Sequence, residues 1–270
     1  MQEVNDSSPL HLDAKLNSSV ILGSYQVELQ KLLDIFNFSN SAAIVQNETT
    51  YKSINPFLNI SPAKNLKLNF EETKSAFIDW NIINIMRDSI ECVSNFLEGV
   101  YLYCTIITFS QRSNLTVNEW NDTLSKGKVS FNKLGLPEKI EYLKSNFDVF
   151  SDYAEYIISI NKARNCLVHR KGIVSERDAG PNQKLEIKWN TFKVRTTSPD
   201  GKDTKIVNRN DIVLKDWSLE VWLEEAFKTC NKGDKIIFTQ EEISDTIMTL
   251  IQYGSYIQQS MLAYYSRVKK

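Results

Sequence analysis

Apolar residues recur at steps of three and four along most of this chain, and a period of two takes over only after Gly180-Pro181. A first helix is expected from about Val20 to Phe38, followed by an irregular stretch over 39–68 that contains Pro56 and Pro62. At Asn69 an N-cap signal appears, with Glu72 three positions on; Phe77, Trp80, Ile83, Met86, Ile90, Val93 and Leu97 then line one face of a long amphipathic helix. Pro137-Glu138 opens a further helix, and its apolar positions from Ile140 through Ile157 carry it to His169, with Gly172 as its stop. In the period-two stretch Leu185, Ile187 and Trp189 alternate with Lys184, Glu186 and Lys188. Phe192 and Val194 continue in the opposite phase, which predicts a bulge or turn at Asn190-Thr191. Ser198-Pro199-Asp200-Gly201 reads as a turn that lets Lys205 to Val207 pair back, and Val221–Phe227 and Lys235–Phe238 read as two more β segments joined by the turn sequence Asn231-Lys232-Gly233-Asp234. Thr239 with Glu242 caps a last helix whose seam, Ile243, Ile247, Leu250, Gly254, Ile257, Met261 and Tyr264, suits packing within the bundle or against a second copy. The expected organisation is a polar arm (1–19), a helical bundle (20–180), a β-rich appendage (181–238) and a C-terminal helix that returns to the bundle or to a dimer interface (239–270). The fold class is mainly α with a small β-hairpin appendage.

Composition narrows this picture. The chain has 270 residues, 42% of them apolar and 11% aromatic, enough for a substantial core, and its nine glycines and six prolines favour long helices over a turn-dense sandwich. Thirty-two Lys and Arg against 33 Asp and Glu leave a net charge of −1, so no global basic field exists and any nucleic-acid contact must be local. Cys92, Cys104, Cys166 and Cys230 are too widely spaced for a zinc knuckle and read as reduced, packed thiols. The first residues lack a basic start followed by an apolar run, and the longest apolar stretch, Val100 to Phe109, is half of what a bilayer needs. A cytoplasmic protein without a membrane partner is expected.

Candidate chemistry is sparse. The chain has no phosphate-binding Gly-rich loop, no His-Glu-x-x-His, no Gly-x-Ser-x-Gly and no dinucleotide fingerprint. Glu186-x-Lys188 resembles the end of a metal-dependent nuclease site, but period two places both side chains on the wet face of a strand. Only two histidines exist, and His11 lies in the polar arm, so neutral-pH proton transfer by imidazole falls to His169. It closes the run Ile160-Asn161-Lys162-Ala163-Arg164-Asn165-Cys166-Leu167-Val168-His169-Arg170-Lys171-Gly172. A lone histidine at a helix end can equally be a cap or a surface residue.

Arg164-Asn165, three apolar residues and His169, near the end of a bundle helix, resemble the motif of HEPN domains over roughly residues 70 to 175. That resemblance implies a helical bundle and a metal-independent endoribonuclease without cofactor, of the kind that serves as a toxin or anti-phage effector. On it Arg164 grips the scissile phosphate, His169 acts as base or acid while the 2′-hydroxyl attacks, and Asn165 orients substrate or imidazole, or else satisfies helix-end backbone groups. The products are a 2′,3′-cyclic phosphate and a 5′-hydroxyl. Lys171 stands where toxins paired with nucleotidyltransferase antitoxins often carry a tyrosine. The implied partners are RNA, a second copy and a regulatory or antitoxin protein; the alternative is a non-catalytic HEPN-like module that binds nucleotide, RNA or protein.

Five helical steps leave Arg164 and His169 roughly 140° apart on a straight helix, so one chain splays them unless the helix ends between them; a two-fold dimer repairs this and supplies a second imidazole. Arg170 and Lys171 beside the motif, with Lys188 and Lys193 on the strand, are candidate RNA contacts. From Lys184 to Lys215 eight Lys/Arg face four Asp/Glu, with Trp189 and Phe192 between them as stacking platforms, or as inward-turned aromatics of an ordinary strand.

Overall fold

A computed structural model describes residues 17–49, 68–111, 116–207 and 216–269. Among these residues the chain forms six helices and one three-stranded antiparallel sheet, the mainly α fold with a small β insertion that the periodicity predicts. Most of the expected polar arm, with His11, and both prolines of the expected irregular stretch lie outside the described residues.

Helix α1 (Ser18–Val45) begins where Asn17 Oδ1 accepts the Ser19 amide at 3.0 Å, and it runs past Phe38, where the sequence reading ended it. Helix α2 (Phe70–Ser110) has the expected capping box: Asn69 Oδ1 accepts from the Glu72 amide at 2.9 Å, and the Glu72 carboxylate accepts from the Asn69 amide at 2.8 Å. Met86, Ile90, Val93 and Leu97 of its seam are buried, whereas Phe77 and Trp80 at its start stay exposed. Among the described residues α2 alone is long and apolar enough to cross a membrane, and half of that window is buried against the rest of the chain, as in the core helix of a bundle.

Helix α3 (Val117–Asn132), absent from the sequence reading, opens on a second capping box between Thr116 and Glu119. The single helix expected from Pro137 to His169 is two: α4 (Leu136–Phe147) and α5 (Ala154–Arg170). No Gly or Pro marks the break. Asp148 takes the left-handed conformation (φ 53°, ψ 38°), which a short polar side chain tolerates, and buried Val149 returns its amide to Leu143 O at 3.2 Å. Helix α6 (Gln240–Val268) then fastens the bend, since Arg267 pairs with Asp148 and Ser260 Oγ accepts the Phe150 amide at 3.1 Å.

α6 has the expected Thr239–Glu242 capping box, and every residue of its predicted seam is buried within the chain. α6 comes close to α1 at Gly254, where a β-carbon would run into the Tyr25 ring. Tyr25 stacks on Phe96 of α2 with 4.4 Å between centroids and donates its hydroxyl to Leu250 O at 2.7 Å, tying three helices at one point.

The sheet has the order β2-β1-β3, with β1 (Lys184–Thr197), β2 (Thr204–Val207) and β3 (Ser218–Asn231) all antiparallel. The predicted turn holds, with Gly201 at φ 73° and its amide on Ser198 O at 2.9 Å. Two β readings are corrected. The β1–β3 register runs unbroken from Lys184↔Asn231 to Thr197↔Ser218, so no bulge interrupts Asn190-Thr191. The change of phase in β1 has another cause: its inner half packs Leu185, Ile187 and Trp189 into the core, while its outer half projects beyond the helices and leaves Phe192 41% exposed. Residues 235–238 form no strand; Lys235 makes an isolated bridge to Ile173 after a turn with Gly233 at φ 93°.

The inner edge of β1 is closed by side chains. Ser159 Oγ of α5 accepts the Lys188 amide at 2.9 Å and faces its carbonyl at 3.4 Å; Thr249 Oγ1 of α6 does the same for Asn190 at 2.9 and 3.4 Å. Two hydroxyls, which donate to Tyr156 O and Asp245 O of their own helices, thus accept from β1 amides that would otherwise lack partners.

Candidate active site at the end of α5

Helix α5 carries every residue of the proposed catalytic group. Ile157, Ile160, Ala163, Cys166 and Leu167 bury its inner face, which leaves Arg164 and Asn165 half-buried on the flank and His169 exposed in the last turn. The helix does not end between Arg164 and His169. It continues to Arg170, and Lys171 (φ 54°) and Gly172 (φ 78°) close it, with the Gly172 amide on Cys166 O at 3.1 Å. The roughly 140° separation expected of an unbroken helix therefore stands.

Arg164 Nη1 donates to Asn165 Oδ1 at 2.9 Å. Its Nε is buried without a hydrogen-bond partner, and among the described residues no carboxylate forms an ion pair with it. A guanidinium steadied by a neutral amide and lacking a counter-anion keeps its full attraction for a phosphate. His169 is exposed in the last turn of the helix.

Arg170 is placed differently. Its Nε donates to Asp178 Oδ2 at 2.7 Å and its Nη2 to Oδ1, a fork on a buried carboxylate that also accepts from the Ser175 amide at 2.9 Å and hydroxyl at 2.7 Å. Burial opposes ionisation of Asp178, yet the Arg170 and Ser175 bonds outweigh it and hold the carboxyl below its usual range. Arg170 is thus engaged in closing the loop after α5. Lys171 is exposed at the helix cap.

The strand residues lie in a balanced field. Lys188 Nζ sits 3.8 Å from Glu155 and 3.6 Å from Glu186, Lys193 Nζ is 3.9 Å from Glu224, and Arg195 Nε is 3.3 Å from Glu220. The positive balance counted along Lys184 to Lys215 is met by glutamates of β3, which pairing brings alongside and linear counting leaves out. Trp189 is 4% exposed and packs by Phe238, so it offers no stacking face; Phe192 does.

Cys166 is fully buried, and burial with the nearby Asp178 pushes its thiol up to about 11, in keeping with a packed rather than nucleophilic cysteine. Among the described residues no three His, Cys, Asp or Glu side chains converge to hold a metal. Two grooves, of about 390 and 260 Å³, are lined by α1 and α2 and not by α5. What sequence reasoning missed at this site is Asp178: a polar loop residue between the apolar seams of α5 and β1 gives no sign that it will be buried against Arg170. No family model, curated protein or solved structure matches the chain.

Proposed function

We propose that the chain is a HEPN-like, metal-independent endoribonuclease acting in the cytoplasm as a homodimer, in the manner of toxins and anti-phage effectors. One observation carries the reading: Arg164 sits half-buried with its Nε unpaired and, among the described residues, no carboxylate paired with it, one and a half turns before an exposed histidine. An arginine with a purely structural duty is expected to resemble Arg170, locked to an acid of its own chain.

In the proposed reaction the Arg164 guanidinium binds a non-bridging phosphate oxygen. The 2′-hydroxyl attacks the adjacent phosphorus, one His169 takes its proton, and the 5′-oxygen leaves with a proton from the symmetry-related His169. Asn165 holds the guanidinium in place. The splay on an unbroken α5 is the reason for invoking the second copy, since a single chain does not present both groups to one phosphate. RNA reaches the site past Lys171, with Lys188 and Lys193 as weaker contacts because glutamates already accompany them.

The test is incubation of purified protein with mixed RNA in EDTA, beside His169→Ala and Arg164→Ala. Wild-type cleavage to 2′,3′-cyclic phosphate ends, lost in both variants, supports the enzyme; wild-type inactivity, or activity undiminished in the variants, sinks it. The balanced charge of the sheet favours the alternative, a non-catalytic module whose exposed β surface binds a protein, and RNA left intact by folded wild-type protein is its signature.

A further inference from the structure

Helix α1 is apolar on two faces, and the fold uses one of them. Tyr25, Leu29, Leu33 and Phe36 lie buried on the side that packs on α2 and α6. At 100° per residue, the opposite side of the helix carries a row of positions separated alternately by four and three residues from Val20 to Val45. Val20, Val27, Phe38 and Val45 hold the apolar places of that row and stand 60% to 78% exposed, with Lys31 and Asp34 in the middle. No described element packs on it. Four-three spacing is the pattern by which one helix seats another, and an exposed apolar row ~38 Å long marks an interaction surface.

We propose that this row packs antiparallel on the same row of a second copy, across a two-fold axis midway between Lys31 and Asp34. The order of residues names both the occupant and the register. About that centre the row matches itself: Val20 meets Val45, Ser24 meets Ser41, Val27 meets Phe38 and Lys31 meets Asp34, each pair occurring twice. Moving the axis onto Lys31 or Asp34 sets that charge against itself, and a parallel pairing does so for both. Sliding one copy by four or seven residues in either direction sets Lys31 or Asp34 on Val27 or Phe38. A charged layer inside an otherwise apolar row fixes orientation and register at some cost in stability.

Both charged residues are lightly held in the single chain. Lys31 Nζ is 4.0 Å from Glu28, with both side chains more than half exposed, and Asp34 accepts only the neutral Gln30 Nε2 at 2.9 Å. In the paired form Lys31 lies between Glu28 of its own helix and Asp34 of the second copy, so the lysine stands between the two acids. This interface does not rest on the nuclease reading. The row points away from α2 and α6, against which α5 lies, so pairing there does not bring two Arg164–His169 couples to one phosphate.

Two charge changes in the full chain test occupant and register together. Lys31→Glu sets acid against acid in both central layers, and Asp34→Lys sets base against base. Each should weaken self-association by at least about 100-fold. At a concentration where wild type is fully associated, light scattering should then report half the wild-type mass, with the melting temperature almost unchanged. Mixed in equal amounts, the two variants should regain the wild-type mass, because each altered residue then faces the other and the two native residues face one another. A wild type of single-chain mass overturns the proposal and leaves the row to a different partner. Either variant holding the wild-type mass, or a mixture no heavier than its components, overturns it as well. RNA cleavage is read separately and decides only the nuclease reading.

Discussion

Arg164 and Arg170 lie six residues apart on one helix, and the surroundings of the two could hardly differ more. Around Arg170 everything is matched: a buried carboxylate, a hydroxyl and an amide converge, and the loop that leads from α5 toward the sheet is locked. Around Arg164 the chain supplies one neutral amide and leaves a buried nitrogen without a partner. Polar groups buried without partners cost free energy that folding ordinarily avoids, and on the proposed reading the difference separates a residue working for the fold from one held ready for a phosphate.

The sharpest way to break that contrast is substitution. Arg164→Ala and His169→Ala should each lower RNA cleavage by about 100-fold or more and leave the melting temperature almost unchanged, read by a gel assay beside thermal denaturation. If Arg164→Ala instead melts the protein, the two arginines are alike.

Asp178→Asn should cost about 2 kcal/mol of stability, because the Arg170 fork loses its charge partner inside the protein. Its pH dependence follows from the lowered carboxyl. Since the folded value lies below the unfolded value near 3.9, the stabilisation is present at neutral pH and down to about pH 4; it is lost as the pH falls through the folded value. Urea denaturation at pH 7 and pH 3 should show wild type and Asp178→Asn converging at the lower pH.

Thr249→Val, which keeps shape and removes the hydroxyl held by Asn190, should cost about 1 kcal/mol and speed hydrogen exchange at the Asn190 amide. The smallest effect is expected at Cys166. With the thiol shifted up to about 11 and buried, native protein should resist iodoacetamide at pH 7.5 for as long as it stays folded, as intact-mass spectrometry would report.

Much of the architecture was legible because helix starts announce themselves. Asn69 with Glu72 and Thr239 with Glu242 both formed the boxes that their spacing predicts, and the four-three seam of α6 is buried throughout. Thr116 with Glu119 offers the same signal for α3, but few apolar residues follow it in a fixed phase, so periodicity gave no support. The break at Asp148 was not legible. It depends on Arg267 and Ser260, more than a hundred residues away, and no local punctuation marks it. At the candidate site residue types and spacing pointed to Arg164, Asn165 and His169. Whether a given arginine is engaged or free is a tertiary property, because Asp178 must first fold back on Arg170.

The pair of hydroxyls that seal the inner margin of β1 also govern stiffness. Ser159 belongs to the same helix as Arg164, only five residues earlier, so the sheet is stitched to that helix rather than hung from a linker. Tilting the blade means tearing those stitches, and a load taken up at its far strand is delivered to the root of the arginine-bearing helix rather than dissipated on the way.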